Sequence, residues 1–266
     1  MTDVSTDLSS TRALVTGASS GLGKAMATAL TQAGARVAVT SRDRQRAEAV
    51  AAELGPRARG VVLDVRDEAS VREAVDQTYE YLGGLDFLVC NAGIGMRTVN
   101  PRFMTDPEPF WRVSSDGFRD VLDTKATGSF LVAREAVPRM LEQGGGRIVV
   151  ISMNTQTMTR KGFVPYGPSG AAVEALARIM AADLNGTSVR VNVLLPGGAT
   201  ATGMLPDDIP AGLRVQLLPA SVMAAPIVWL ASSAAAGVHD ARIAASEFDH
   251  WLASVELTNL GSTKPQ

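Results

Sequence analysis

Short apolar runs and longer amphipathic stretches take turns along almost the whole of this chain. The runs at 13–15, 37–39, 61–63, 87–89, 148–151 and 189–195 have the length and the flanking turn residues of strands. The stretches at 22–33, 44–54, 69–82, 118–141 and 171–184 repeat their apolar residues at helical spacing. Strands that are apolar throughout and separated by helices predict a parallel sheet covered on both faces, an α/β doubly wound fold. The helix at 118–141 is read as one long rod that spans the sheet and reaches a subunit interface. Ligands in such sheets bind beyond the carboxyl ends of the strands, so the residues after each strand carry the chemistry.

The first of these junctions is the most specific. Between the strand at 13–15 and the helix at 22–33 lies Thr16-Gly17-Ala18-Ser19-Ser20-Gly21-Leu22-Gly23. Gly17, Gly21 and Gly23 allow a tight turn and close backbone approach, and the helix start leaves N–H groups aimed at an anion. With Ser19, Ser20 and Leu22 completing the loop, this strand, turn and helix unit predicts a dinucleotide pyrophosphate site. After the second strand come Ser41 and Arg42, where a carboxylate would favour an unphosphorylated ribose; arginine favours a 2′-phosphate, hence NADP(H). After the third, Asp64 and Val65 fall where a carboxylate can meet the adenine amino group, and after the fourth comes Asn91-Ala92-Gly93.

Composition narrows the classes. A chain of 266 residues without a linker is read as one domain over 12–255, with a flexible N-terminus at 1–11 and a flexible tail at 256–266. A net charge of −2 with signs interspersed argues against nucleic acid and against a polybasic membrane surface. No apolar run is long enough to span a bilayer, and no signal segment is evident, so a cytoplasmic protein is expected. A single cysteine, Cys90, within an apolar run reads as core. With no clustered ligand spacing, no metal site is expected.

With these residues assembled, the chain from Thr11 to about Ile243 resembles the short-chain dehydrogenase/reductase family. The matching elements, in order, are the Gly17/Gly21/Gly23 turn, Asp64, Asn91-Ala92-Gly93, Tyr166 at the head of a helix, and Asn192 to Pro196-Gly197. The resemblance implies a Rossmann-type sheet, a nicotinamide cofactor, a homodimer or homotetramer, and a catalytic asparagine, serine, tyrosine and lysine. Three of those four roles are altered here. Gly170 stands where the family's lysine follows the tyrosine, Met153 stands where its serine falls with Asn154 beside it, and Lys125 replaces its asparagine. Ser152 is one step early and faces the other way.

The family's tyrosine hydroxyl gives a proton to a carbonyl oxygen as hydride arrives, and the neighbouring ammonium lowers its pKa. Losing a positioned donor to the substrate oxygen removes on the order of 10²–10³ in rate. One compensation is visible: Gly170 vacates space into which Lys125 can bring its ammonium, and Asn154 can offer an amide donor in place of the serine. The competing reading sends Lys125 to solvent and makes Met153 a plain pocket wall. Two further readings stand beside reduction of a small, largely apolar carbonyl compound. One is a redox-neutral cyclase or isomerase of natural-product type, in which Tyr166 acts as an acid without hydride transfer; the other is a catalytically silent cofactor-binding homologue.

Two loops are expected to frame the substrate. The segment 95–115 brings Met96, Phe103 and Trp111, and the segment 198–218 brings Met204; with Met153 they suggest an adaptable apolar cavity. Arg97, Arg102 and Arg160 are candidate partners for an anionic substrate. Phe248 and Trp251 are expected at a subunit interface.

Overall fold

The computed structural model describes residues 7–261 apart from 207, 208 and 210. It is a seven-stranded sheet of order β3-β2-β1-β4-β5-β6-β7 with every neighbouring pair parallel. The strands are β1 (Arg12–Val15), β2 (Arg36–Ser41), β3 (Ala58–Val62), β4 (Phe87–Cys90), β5 (Gly146–Ile151), β6 (Val189–Leu195) and β7 (Arg242–Ala244). The helices between them are α1 (Gly21–Gln32), α2 (Arg44–Leu54), α3 (Glu68–Leu82), α4 (Ser115–Leu122), α5 (Gly128–Glu142), α6 (Thr155–Met158), α7 (Tyr166–Asp183), α8 (Ala211–Arg214) and α9 (Ala224–Ala231), and α10 (Phe248–Gly261) follows β7. Strand order reverses between β1 and β4, which opens the crevice at their carboxyl ends.

Both faces of the sheet are buried, as its unbroken apolar strands require. Leu14, Ala38, Leu88, Ile148 and Val150 point into one core, against residues of α3, α5 and α7. Their neighbours Val15, Val37, Val89, Val149 and Ile151 point into the other, against α1 and α9. The switch from one face to the other at each step is the period-two geometry of a strand.

The expected run of helices is corrected at one point. The long helix at 118–141 is two helices: α4 begins at Ser115, capped by the Ser114 hydroxyl accepting from Gly117 N–H, and between α4 and α5 the segment Asp123–Thr127 takes the wider π turn. Helix α7 starts at Tyr166, as the resemblance implied and five residues before its apolar periodicity sets in; Pro168 sits in its first turn, where a missing N–H is harmless. The N-terminal stretch is anchored from its later part: Leu8 is buried and its N–H donates to Ala33 O, while residues 1–6 lie outside the described residues. At the other end, the backbone is helical to Gly261; Phe248 packs with Trp229 in the chain's own core, and the half-buried Trp251 lies against both. Residues 262–266 lie outside the described residues. Among the described residues no helix is long and apolar enough to cross a membrane.

Candidate active site

The glycine turn has the backbone its sequence calls for. Gly17 and Gly21 sit at φ of +63° and +55°, in the left-handed region open to glycine. A Cβ on Gly23 would lie 2.3 Å from Gly17 O and 2.5 Å from Asn91 Nδ2, so only hydrogen fits where α1 crosses the turn. Ser20 caps α1 without a side-chain hydrogen bond, and no acidic residue lies in the first turn. By contrast, Asp43 and Asp67 cap α2 and α3 with their carboxylates. The start of α1 thus keeps its donors for an outside anion, and together with the glycine cradle this fits a dinucleotide pyrophosphate.

Around this turn the carboxyl ends of the strands enclose a cavity of about 1060 Å³. The turn's glycines with Ser19, Ser20 and Leu22, then Ser41, Arg42 and Val65, the Asn91-Ala92-Gly93 triplet, and Pro196-Gly197 all face it. Asp64 does not. Its carboxylate is bound by Arg66 at 2.7 Å, and that hydrogen-bonded pairing holds it below the usual carboxylate range. Asn91 faces the cavity but braces the turn: its amide donates to Thr16 O and Gly17 O at 2.9 and 3.1 Å. Arg46, which the sequence reading did not single out, lines the cavity beside Arg42. Its place in the first turn of α2, just after Arg42, was the signal available for it.

At the other end of the cavity stand Tyr166, Lys125, Asn154 and Met153. The π turn carries Lys125 inward rather than to solvent. Its side chain is buried, its Nζ donates to Ile151 O at 3.1 Å, and it lies 5.9 Å from the centroid of the Tyr166 ring. Among the described residues no carboxylate pairs with it. Burial without a counter-charge lowers its pKa to about 8, and the same desolvation raises that of Tyr166. The place over Gly170, however, is not taken by Lys125. A Cβ on Gly170 would meet Met153 Cε at 2.6 Å and Sδ at 2.8 Å, so the thioether fills the room left by the absent side chain.

Asn154 accepts from Thr157 N–H at 3.1 Å and from the Thr157 hydroxyl through Oδ1. Two donors on that oxygen fix the amide orientation and leave Nδ2 as the uncommitted donor of a residue that lines the cavity. Ser152 also lines the cavity, but its hydroxyl is engaged behind it, donating to Glu174 at 2.8 Å. Arg242 bonds the same carboxylate at 2.6 Å and the Met153 carbonyl at 3.1 Å, so a half-buried ion pair behind the site fixes the chain after β5. Met96, Phe103 and Met204 line the cavity, joined by Met104 and Phe163. Trp111 does not: it is 72% exposed, edge-packed on the exposed Phe110 outside the cavity, because Pro109 and the turn at Phe110–Arg112 carry both rings outward.

A parallel sheet with a glycine turn, a reversal of strand order and a phenol at its crevice defines a dinucleotide-binding α/β enzyme fold. The short chain dehydrogenase pattern matches residues 11–210, and the chain belongs to that family. It is 35% identical over 240 residues to D-threitol dehydrogenase of Mycolicibacterium smegmatis, covering 86% of this chain and 88% of that one. A short chain dehydrogenase from Burkholderia cenocepacia in complex with NADP superposes with a TM-score of 0.77 at 29% identity, over 90% of this chain and 99% of the other. The 3-ketoacyl-(acyl-carrier-protein) reductase of Brucella melitensis complexed with NADH gives 0.78 at 28% identity, over 87% and 95%. The family uses a nicotinamide cofactor and acts on small molecules.

Proposed function

We propose that the protein is an NADP(H)-dependent reductase of a small, largely apolar carbonyl compound, with Tyr166 as proton donor and Lys125 as the ammonium of the site. The observation that carries this reading is the burial of Lys125 beside Tyr166, on the floor of the cavity that the glycine turn opens. The bound dinucleotide supplies the hydride. Arg42 and Arg46, both facing the cavity beyond β2, would take the 2′-phosphate, which favours NADP(H). Tyr166, held neutral by burial, keeps its proton until a carbonyl oxygen accepts it. Lys125 stabilises negative charge building on that oxygen or on the phenol, and Asn154 Nδ2 supplies the donor that a serine supplies elsewhere in the family. Lys125 is delivered by the helix bearing Thr124 and Lys125, so the cation has moved from α7 to the π turn before α5 while the phenol has kept its place.

A redox-neutral reaction, a cyclisation or isomerisation, is supported by a different feature of the same pair. A raised phenol and an amine lowered to about 8 form a proton donor and acceptor that can move a proton across a bound molecule without hydride. A homodimer or homotetramer is the expected assembly, supported by exposed Phe130 and Leu141 on α5 and Ile179 on α7.

The test is titration with NADPH followed by a panel of ketones, quinones and imines, with cofactor absorbance and product mass read together. NADPH oxidation with a product two hydrogens heavier supports the reductase. Tight NADPH binding with a product of unchanged mass replaces it with the redox-neutral reading, and failure to bind NADPH removes both.

A further inference from the structure

Resting on that reading and narrowing its substrate, we infer that the molecule handled here carries an anionic oxygen group, a carboxylate in its simplest form, on an apolar body, and that Arg160 binds it. The sequence offers three arginines near the substrate loops, and the structure separates them. Arg102 pairs with Asp106 at 3.1 Å and does not face the cavity. Arg97 bridges the two rim loops through Leu205 O at 3.4 Å. Arg160 faces the cavity, and among the described residues no carboxylate pairs with its guanidinium.

That guanidinium is held in place by the wall itself. It lies 4.8 Å over the Phe163 ring, which packs edge-on against Phe103 at 5.4 Å, in the cluster that also holds Met96 and flanks Tyr166. Contact with a buried ring restrains the guanidinium of this exposed residue while leaving N–H groups open for two parallel hydrogen bonds. The charge around it is of one sign. Only one acidic side chain faces the cavity among the described residues, Asp43, and it caps α2 beside Arg42 and Arg46 at the opposite end. At the substrate end Arg160 and Lys125 stand among methionines and phenylalanines, and among the described residues no carboxylate pairs with either. Low-dielectric walls carrying one sign of charge concentrate the field and select a ligand of the other sign. An apolar body would lie along Met96, Phe103 and Met153, with its anionic end at Arg160 and its reacting carbon toward Tyr166.

The experiment measures binding of 4-phenylbutanoate and of its methyl ester to the NADP-loaded protein by calorimetry at low ionic strength, with NADPH titrated on the same preparations. The acid should bind about fivefold to tenfold more tightly than the ester, the effect of a charge-assisted pair at a partly exposed site. Arg160→Gln should bring the two to parity with NADPH affinity unchanged, and Arg160→Lys should keep part of the preference, since it retains charge without the planar fork. Acid and ester binding alike in the wild type, or neither binding, overturns the inference. So does a preference that survives Arg160→Gln, and its loss in Lys125→Met alone would place the anion on the floor of the cavity instead. A protein that fails to bind NADPH sinks the reductase reading, whereas one that binds NADPH and shows parity sinks only the assignment of Arg160.

Discussion

Replacing Lys125 by methionine should make this protein more stable and less active, and the size of the gain follows from its surroundings. The ammonium is buried with one carbonyl partner and no described carboxylate, and its pKa falls from 10.5 to about 8. At about 1.36 kcal/mol per unit, burial of the charge costs roughly 3 kcal/mol at neutral pH. The variant loses the bond to Ile151 O, worth about 1 kcal/mol, and keeps a side chain of similar shape, so a net gain of about 2 kcal/mol is expected at pH 7. That corresponds to a rise of about 4–8 °C in Tm for a chain of this size. The pH dependence has a definite sign. Below the folded-state pKa both folded and unfolded chains hold the proton, and the penalty is fully present. Between about 8 and 10.5 the unfolded chain holds a proton that the folded chain has released, so wild-type stability rises with pH while the variant lacks that rise. By about pH 9.5 the difference should shrink by roughly 2 kcal/mol. Exposed lysines titrate alike in both proteins and cancel. Urea unfolding followed by circular dichroism at the two pH values, alongside NADPH oxidation, measures both halves. A variant less stable than the wild type at pH 7, or a difference that does not narrow with pH, would refute the reasoning. A variant that gains stability and keeps hydride transfer would strip Lys125 of its role in the reaction while leaving the electrostatics intact.

Tyr166→Phe should lower kcat for carbonyl reduction by about 10²–10⁴ while leaving NADPH affinity within a factor of about two, read by steady-state kinetics and fluorescence titration. Gly170→Lys alone should be poorly tolerated, because its Cβ meets the Met153 thioether at 2.6 Å. Combined with Met153→Ser, the same lysine should recover hydride transfer in a Lys125→Met background, and absence of recovery in a folded triple variant would argue against a transferred ammonium. Replacing Arg42 and Arg46 together by glutamate should reduce the preference for NADPH over NADH by about tenfold or more with little change in melting temperature, measured as the ratio of the two kcat/KM values.

How the sequence divides from the structure is best seen residue by residue. Local signals settled the strand and helix order, the glycine turn and the position of Tyr166, because each depends on a short-range rule: period two or 3.6, a left-handed φ, or a strand running into a helix start. Arg42 was legible as the residue that follows β2. The sequence could not say that Asp64 would be taken by Arg66, that Pro109 would turn Trp111 outward, or that Met153 rather than Lys125 would fill the room above Gly170. Each of these depends on which of several side chains reaches a point first, and that is decided by packing between elements far apart in the chain. The π turn at Asp123–Thr127 is of the same kind: the apolar spacing continues through it unbroken, so the pattern reads as one helix, and only the crowding of α4, α5 and α7 on the sheet decides where the helix widens. By itself the sequence determined a doubly wound fold with a glycine-rich dinucleotide turn. The tertiary structure alone decided that the cation facing the phenol comes from the neighbouring helix, since burial and the 5.9 Å approach to Tyr166 exist only once β5, α5 and α7 have closed around it.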